Sequence, residues 1–260
     1  MDIVVCIKQV PETTEVKIDP QTKTLVREGV PGIVNPFDMY AIEEGLRLKE
    51  RYGGKVKVLT MGPPQAEEAL REALAMGADE AVLLSDKALA GSDTLATSYA
   101  LSMAVRKLGY DLVICGKQAV DGDTAQVGPE MAEHLGVPFV AWVRNVEDVL
   151  DGKIRVQRLM DDGYDVLEVP LPTLITVVKE INEPRLPSLR GKMRARKAQI
   201  PVWTVEDIGA DPSKVGIEGS PTQVVRVFTP ERRREGEILQ GEPEEVADKL
   251  VEKLEAMGVI

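Results

Sequence analysis

The sequence predicts an α/β fold: an open, mostly parallel sheet with helices on both faces. Four short apolar runs occur in the first half of the chain: Ile3-Val4-Val5-Cys6-Ile7, Val56-Lys57-Val58-Leu59-Thr60, Ala81-Val82-Leu83-Leu84 and Leu112-Val113-Ile114-Cys115. Continuous apolar runs of this length indicate strands that are buried on both faces. Segments with apolar residues at helical spacing separate the runs, and this alternation is typical of a parallel sheet.

Each helical segment has its own start signal. The first begins at Asn35-Pro36-Phe37-Asp38, where Asn suits the N-cap, Pro the first helical position and Asp the positive end of the helix dipole. The second opens at Pro63-Pro64 and ends at Gly77, and Ser92-Asp93 caps the third. The fourth has apolar residues every four positions, at Val127, Met131 and Leu135.

Two segments depart from this alternation. Val16-Lys17-Ile18 and Thr24-Leu25-Val26 flank a polar turn and predict a small hairpin after the first strand. After about residue 138, the run Ile154-Arg155-Val156-Gln157-Arg158-Leu159 alternates strictly between apolar and polar residues. Together with the turn pairs Asp151-Gly152 and Asp162-Gly163, this run predicts a half-exposed antiparallel region.

The last part of the chain predicts an extended arm. Residues 201–240 show little periodicity, and a single helix follows from about Pro243 to Met257, with Val246, Leu250 and Leu254 in a stripe. Such a segment cannot bury a core of its own. We therefore predict an α/β domain over residues 1–200 and a C-terminal arm over residues 201–260, which wraps its own domain or a partner.

Composition excludes several classes of function. The 260 residues carry a net charge of −11, which makes the chain a poor ligand for the phosphates of nucleic acids. Two cysteines fit a reducing compartment, and His134, the one histidine, excludes a histidine-based metal site. The sequence shows no signal peptide and no run of ~20 apolar residues that could span a membrane. We therefore expect a cytoplasmic protein without membrane insertion.

One loop has the composition of a phosphate site. Ligands of open parallel sheets bind outside the carboxyl ends of the strands. Gly116-Lys117-Gln118-Ala119-Val120-Asp121-Gly122-Asp123-Thr124-Ala125-Gln126-Val127-Gly128 follows a predicted strand and leads into a helix. Its small residues let backbone N–H groups approach a phosphate, although it matches neither the Walker nor the Gly-x-Gly-x-x-Gly pattern. The alternative is an ordinary loop in which Asp121 or Asp123 caps the helix.

A basic stretch over residues 183–197 predicts a docking element. It contains six cations after Pro184, namely Arg185, Arg190, Lys192, Arg194, Arg196 and Lys197. Leu186 and Leu189 are candidate apolar anchors, and Arg185 and Arg190 are expected to steer the encounter. The prolines of this segment predict neither a helix nor a central strand at Leu189. The alternative is a solvated loop that balances the acidic body of the protein.

Five motifs in this order and spacing make the chain similar to the β subunits of electron-transfer flavoproteins, over essentially its whole length. They are Val5-Cys6-Ile7-Lys8-Gln9-Val10-Pro11, Asn35-Pro36-Phe37-Asp38, Ala73-Leu74-Ala75-Met76-Gly77-Ala78-Asp79, the loop from Gly116 to Gly128 with Pro129, and Asn182-Glu183-Pro184-Arg185. The resemblance implies a Rossmann-like, adenine-nucleotide-binding domain in a heterodimer with an α subunit. It further implies that the α subunit holds most of the FAD, that this chain forms one wall around it, and that the redox chemistry belongs to the flavin rather than to an enzyme active site.

The resemblance also implies a second nucleotide site and a docking loop. The second nucleotide is AMP in many members and FAD in the electron-bifurcating branch, which uses NADH. The motif Gly122-Asp123-Thr124-Ala125-Gln126-Val127-Gly128 looks more like that of members that accept a dinucleotide. The implied contacts are Cys6, Asn35, Pro36, Phe37, Asp38, Met61, Gly116, Lys117, Gln118, Ala119, Val120, Asp121, Gly122, Asp123, Thr124, Ala125, Gln126 and Val127. The implied docking residues are Glu183, Pro184, Arg185, Leu186, Leu189 and Arg190, with Leu189 as the anchor.

In the same family, electrons pass from acyl-CoA-type dehydrogenases through FAD to a flavoprotein-quinone oxidoreductase in the membrane. Two other classes remain as alternatives on this scaffold. An adenylating or nucleotide-hydrolysing enzyme would have a Ser-Gly-Gly type of loop after the first strand, where this chain has Val10-Pro11-Glu12. A homodimeric nucleotide sensor would leave the long C-terminal arm unexplained.

Overall fold

The predicted alternation of strands and helices is confirmed in the structure, a computed structural model that describes residues 1–12, 32–225 and 236–260. The hairpin predicted at 16–18 and 24–26 lies outside the described residues. The first unit, Met1–Val225, contains β1 (Asp2–Ile7), β2 (Gln9–Pro11), β3 (Gly32–Val34), α1 (Pro36–Tyr52), β4 (Lys55–Met61), α2 (Glu67–Met76), β5 (Glu80–Leu84), α3 (Thr94–Leu108), β6 (Leu112–Gly116), α4 (Val127–Leu135), β7 (Phe139–Leu150), β8 (Lys153–Leu159), β9 (Tyr164–Pro170), β10 (Thr173–Val177), α5 (Leu189–Lys197) and β11 (Val202–Trp203).

The strands of the first unit form one large sheet. Within the described residues its order is β11-β5-β4-β1-β6-β10-β7-β8-β9. All neighbours from β11 to β7 are parallel, whereas β7, β8 and β9 pair antiparallel, as the alternating sequence predicts. Strand order reverses beside β1, where β4 lies on one side and β6 on the other. An open sheet has its ligand crevice at such a reversal, outside the carboxyl ends of the strands.

Both faces of the parallel strands are buried. Along β1, Ile3 and Val5 belong to one apolar cluster and Val4 and Cys6 to the other. The first cluster lies under α1 and α2, and the second under α3 and α4. Burial on both faces explains why these strands read as continuous apolar runs. None of the helices in the described ranges is long and apolar enough to cross a membrane.

The first unit extends to Val225, past the boundary at residue 200 that the sequence predicts. Val202–Trp203 adds β11 to the sheet beside β5. Val205, Ile208 and Val215 are buried in the second apolar cluster. A few apolar side chains at irregular spacing give no periodic signal, although they complete the core.

The second unit, Arg226–Ile260, contains the C-terminal helix α6 (Pro243–Ala256). This helix agrees with the predicted helix at 243–257. None of its residues is buried in the part of the chain that the structure describes, and its apolar stripe includes Leu250 at 48% exposure. The predicted arm is therefore shorter, and it begins after residue 225.

The expectation that prolines exclude a helix at Leu189 is also wrong. Helix α5 begins at Leu189, and the Ser188 hydroxyl caps it by accepting from the Gly191 N–H group at 3.0 Å. Pro184 and Pro187 both precede this cap. Proline obstructs a helix only from its interior, so these two residues shape the approach to α5 without interrupting it.

Because the first unit extends to Val225, we expect two truncated chains to differ in melting temperature. A chain that ends at Val225 is expected to unfold with the melting temperature of the full protein. A chain that ends at Ile200 loses Val205, Ile208 and Val215 from the core, and each such side chain contributes roughly 1.5–3 kcal/mol when buried. Thermal unfolding followed by circular dichroism distinguishes the two chains. Equal melting temperatures would contradict the assignment of 201–225 to the core.

Candidate functional site

The predicted cofactor residues meet at the carboxyl edge of the parallel strands. Cys6 lies near the end of β1 and pairs in register with Leu59 of β4 and Cys115 of β6. Met61 ends β4, and the residues from Asn35 to Asp38 begin α1. The loop 116–127 leaves β6 at the same edge and leads into α4. Parallel strands bring these four distant segments together because all their carboxyl ends point the same way.

Asn35 fastens the start of α1 to this loop. Its side-chain Nδ2 donates to the Gln118 carbonyl at 2.8 Å, and its Oδ1 accepts from the Val120 N–H group at 3.1 Å. The side chain is buried. Contrary to the sequence prediction, it makes no capping hydrogen bond to the helix. A carboxamide can donate and accept at once, so it pairs with the loop backbone as a neighbouring strand would.

Asp38 lies directly beneath the loop. Its Oδ2 accepts from the Lys8 N–H group at 2.7 Å. Burial raises the pKa of this carboxyl group from 3.8 to about 7, although hydrogen bonds from Asn35, Lys8 and Gly116 oppose the shift. A Cβ atom on Gly116 would lie 2.3 Å from Asp38 Oδ1, so only glycine fits at the end of β6.

The outer part of the loop presents free backbone donors. Asp123 and Ala125 both have left-handed backbone, with φ of 53° and 54°. In the described part of the chain, the N–H groups of Thr124, Ala125 and Gln126 donate to no acceptor. Helix α4 begins at the next residue and adds the positive end of its dipole. Left-handed residues alternating with others turn successive N–H groups toward one point, which is an anion-binding arrangement. The loop therefore fits a phosphate.

Charged side chains flank these donors. The Lys8 ammonium group pairs with Asp121 at 2.7 Å, so Asp121 connects the loop to the residue that follows β1 and does not cap α4. Asp123 accepts from the Gln118 side chain within the loop. Lys117 lies near the rings of Phe37 and Trp142, at 5.8 and 5.6 Å from their centroids.

The two cysteines are buried and free. The hydrogen bond with Cys6, and then burial, raises the pKa of the Cys115 thiol well above its usual range. A protonated, buried thiol is a poor nucleophile. This environment agrees with the interpretation of both cysteines as small core residues.

The predicted docking segment is held by α1. The Arg185 guanidinium donates to Glu43 at 2.8 and 3.1 Å and also pairs with Glu50. These carboxylates raise the pKa of Arg185, while Arg185 and Arg47 hold the pKa of Glu43 low against the opposing effect of burial. Arg185 is thus paired with two carboxylates of α1, and its role in steering a partner stays a prediction.

The apolar residues of this segment point into solvent. Leu186 is 91% exposed and Leu189 is 79% exposed. Arg190 is exposed beside them, as is Met193 one turn along α5. We call Leu186, Leu189, Arg190 and Met193 the docking surface. Exposed large apolar side chains grouped on a segment that ion pairs hold in place are typical of an interaction site.

Comparison with known proteins agrees with this architecture. The family model of the electron transfer flavoprotein domain matches residues 22–208. The chain is 54% identical to the electron transfer flavoprotein subunit beta of Thermoanaerobacterium thermosaccharolyticum over the full length of both chains. It is 52% identical over both full lengths to the caffeyl-CoA reductase-Etf complex subunit CarD of Acetobacterium woodii. It is 50% identical to the protein FixA of Azorhizobium caulinodans, over 90% of this chain and 86% of the relative.

The fold defines an open α/β protein whose strand order reverses beside β1, the place at which such sheets bind ligands. The comparisons are more specific, since a match of this length and identity shows the family. The chain belongs to the electron transfer flavoprotein family, among its β subunits.

Three residues that the structure places at these sites belong to none of the sequence motifs. Glu43 and Glu50 hold Arg185 from more than one hundred positions away in the chain. Trp142 lies beside Lys117 at the carboxyl edge. The only local signal for Trp142 was a large aromatic residue in an otherwise ordinary strand.

Asp38 predicts a dependence of stability on pH. Because its pKa is raised on folding, the folded protein binds this proton more tightly than the unfolded chain. The resulting stabilisation is fully present below about pH 4 and is lost as pH rises through about 7. The linkage amounts to about 4 kcal/mol. Urea unfolding from about pH 5 to 8 should show this fall, and the neutral Asp38→Asn variant should show a flatter slope. An unchanged slope in the variant would contradict the shift.

Proposed function

We propose that this chain is the β subunit of a heterodimeric electron carrier that binds an adenine nucleotide at loop 116–127. The observation that carries the proposal is the group of unpaired N–H donors at Thr124, Ala125 and Gln126 beside the start of α4. Phosphates are the anions such donors fit. Membership of the electron transfer flavoprotein family supports a flavin-carrying complex.

The residues of this chain supply position and charge. The three loop amides hold the phosphates, and Asn35 fixes the loop above α1. Burial keeps part of the Asp38 population neutral near pH 7, which reduces repulsion between that carboxyl group and a phosphate. When bound, the flavin of the complex accepts and releases the electrons.

The C-terminal unit is proposed to wrap the α subunit, which holds most of the FAD while this chain walls one side of it. Support comes from α6, whose stripe of Val246, Leu250 and Leu254 is not buried in the described residues. An amphipathic helix is stable only when another surface covers its apolar face. The docking surface is proposed to meet acyl-CoA-type dehydrogenases, and electrons would then pass to a flavoprotein-quinone oxidoreductase.

A second candidate is an electron-bifurcating member that uses NADH and holds a second FAD in place of AMP. One observation favours it: the residues of the loop from Gly122 to Gly128 resemble those of members that accept a dinucleotide. The adenylating enzyme and the homodimeric sensor lack such support. After β1 the chain enters β2 at Gln9–Pro11, where an adenylating enzyme would have a glycine-rich loop.

The nucleotides released from the denatured, purified complex test the proposal. One FAD and one AMP per heterodimer are expected of the simple carrier, and two FAD of the bifurcating member. A complex that releases no adenine nucleotide beyond the FAD of the α subunit would contradict the proposed site.

The phosphate loop predicts the effect of a charge at Ala125. Asp tolerates left-handed backbone better than most residues, so Ala125→Asp places an anion among the donors without added strain. The like-charge cost of ~1–3 kcal/mol predicts that nucleotide affinity falls about fivefold or more. Ala125→Asn is the matched control, because Asn has nearly the same shape, no charge and the same tolerance of this backbone. Equal nucleotide content in the two variants would place the phosphates elsewhere.

The docking surface predicts a selective effect of Leu189→Ala. Truncating an apolar anchor typically costs at least ~2 kcal/mol, or about thirtyfold in affinity. We expect slower flavin reduction by an acyl-CoA-type dehydrogenase at limiting concentration, with unchanged FAD content and melting temperature. The control is Leu150→Ala, which removes another exposed leucine at the β7–β8 turn. If both variants transfer electrons at the unaltered rate, the surface does not dock this partner.

A further inference from the structure

The residues that lead into the docking surface, 182–185, lie along one face of α1. The α1 residues that bind them are Tyr40, Glu43, Glu44, Arg47 and Glu50. Side chains three or four positions apart lie on the same face of a helix. The course of residues 182–185, and therefore the place at which Leu186 and Leu189 leave the protein body, depends on these contacts.

Asn182 makes the first of these contacts. Its Nδ2 donates to the Tyr40 carbonyl at 3.0 Å and to Glu44 Oε2 at 3.1 Å. Its Oδ1 is buried and accepts no hydrogen bond from the residues that the structure describes. A buried acceptor without a donor is costly, so a neighbouring group that donates to Oδ1 stabilises this arrangement.

Glu44 is a buried carboxyl group, with 6% of its surface exposed. Within the described chain no lysine or arginine pairs with it, because Arg47 and Arg185 both bind Glu43 instead. Burial raises the pKa of the Glu44 carboxyl group. The hydrogen bond from Asn182 and the charge of Arg47 oppose this rise, the charge of Glu43 adds to it, and the net direction is upward. The folded protein therefore binds a proton at Glu44 more tightly than the unfolded chain does.

Other charged side chains on the elements that pack against α1 are exposed or paired with other groups. They are Asp2, Lys55 and Lys57 on β1 and β4, Lys179 and Glu180 on the turn 179–181, and Glu183 and Arg185 on the segment that follows it. The pH dependence of the contact with Asn182 is therefore that of Glu44 itself.

The side chains of Glu44 and Asn182 are complementary when Glu44 carries a proton. An ionised carboxylate has only acceptors, so it pairs with Nδ2 of the carboxamide and leaves Oδ1 unpaired. A protonated carboxyl group has a donor and an acceptor, as a carboxamide does. It can therefore accept from Asn182 Nδ2 through one oxygen and donate to Oδ1 through the other.

We propose that the protonated carboxyl group of Glu44 and the carboxamide of Asn182 form a pair with two hydrogen bonds, which positions the docking surface for its partner. Both are positioning residues, since they act through Leu186 and Leu189. The proposal rests on the docking role given to this surface under the proposed function. The pair is complete below the pKa of Glu44 and loses one hydrogen bond as pH rises through it, so docking weakens toward alkaline pH.

Hydrogen exchange of the full chain tests the pair in the absence of any partner. Glu44→Gln has a donor and an acceptor at every pH, whereas Glu44→Ala has neither, and comparison at one pH cancels the intrinsic pH dependence of exchange. At about pH 8, the amides of residues 183–188 should exchange about fivefold more slowly in Glu44→Gln than in the unaltered chain, the usual contribution of one hydrogen bond. At about pH 5 these two chains should agree, and Glu44→Ala should exchange faster than both.

The matched control is Glu180→Gln, which removes an exposed carboxylate two positions before Asn182 and should exchange as the unaltered chain does. Asp38, on the same helix, titrates in all of these variants. A difference between about pH 5 and pH 8 that persists in Glu44→Gln therefore belongs to Asp38 and would overturn the assignment to Glu44. Equal exchange in Glu44→Gln and Glu44→Ala would overturn the pair.

Electron transfer in the complex with the α subunit tests the docking role. At about pH 8, the KM for an acyl-CoA-type dehydrogenase should fall about fivefold in Glu44→Gln and rise in Glu44→Ala. The kcat and the FAD content should stay unchanged, because the pair acts on the encounter and not on the flavin. If Leu189→Ala raises KM and neither Glu44 variant changes it, this inference is overturned and the proposed docking stands. If none of the three variants changes KM, the proposed docking fails and this inference fails with it.

Discussion

The candidate site depends on the close approach of α1 to the end of β6. Gly116 has no side chain, so the Asp38 carboxyl group lies against the strand end and accepts from the Lys8 N–H group at 2.7 Å. One turn earlier, Asn35 binds the loop on both its donor and acceptor sides. Three segments far apart in sequence, namely Lys8 after β1, the start of α1 and the end of β6, thus fix where the loop leaves the sheet. The first part of the loop is fixed as far as Val120. The free N–H groups lie only a few residues further along the chain, so their orientation depends on this fixed part.

The same helix connects the loop to the docking segment. Its first turn holds Asn35 and Asp38 at the edge, and its later turns present Glu43 and Glu50 to Arg185. A helix of 17 residues is about 25 Å long and behaves as a stiff rod. The ion pairs therefore set the docking segment at a defined distance from the loop. An electron carrier needs such spacing, since its partner must approach the flavin reproducibly.

The features that the sequence predicts correctly are those that neighbouring residues in the chain specify. The buried strands, the Asp93 cap of α3 and the loop 116–128 are each set by contiguous residues, and the structure contains each of those elements. The ion pairs of Arg185 join residues 142 and 135 positions apart, and no local period shows them. The helix α5 begins at a cap on Ser188, but the two prolines just before this residue indicate a non-helical segment when the sequence is read alone. The packing of 202–215 depends on single apolar residues at irregular spacing.

Backbone strain is concentrated at the same edge. The left-handed non-glycine residues of the described chain are Asp123, Ala125, Trp142 and Asp151, and only Asp151 belongs to a tight hairpin turn. Each of the other three costs about 1–3 kcal/mol and persists only where its surroundings leave no alternative. Here the surroundings are a sheet buried on both faces, the Asn35 carboxamide and the contact of Gly128 with Thr176. Because the two-sided core is far more stable than these local costs, it can hold donors and rings in positions that a relaxed loop would abandon.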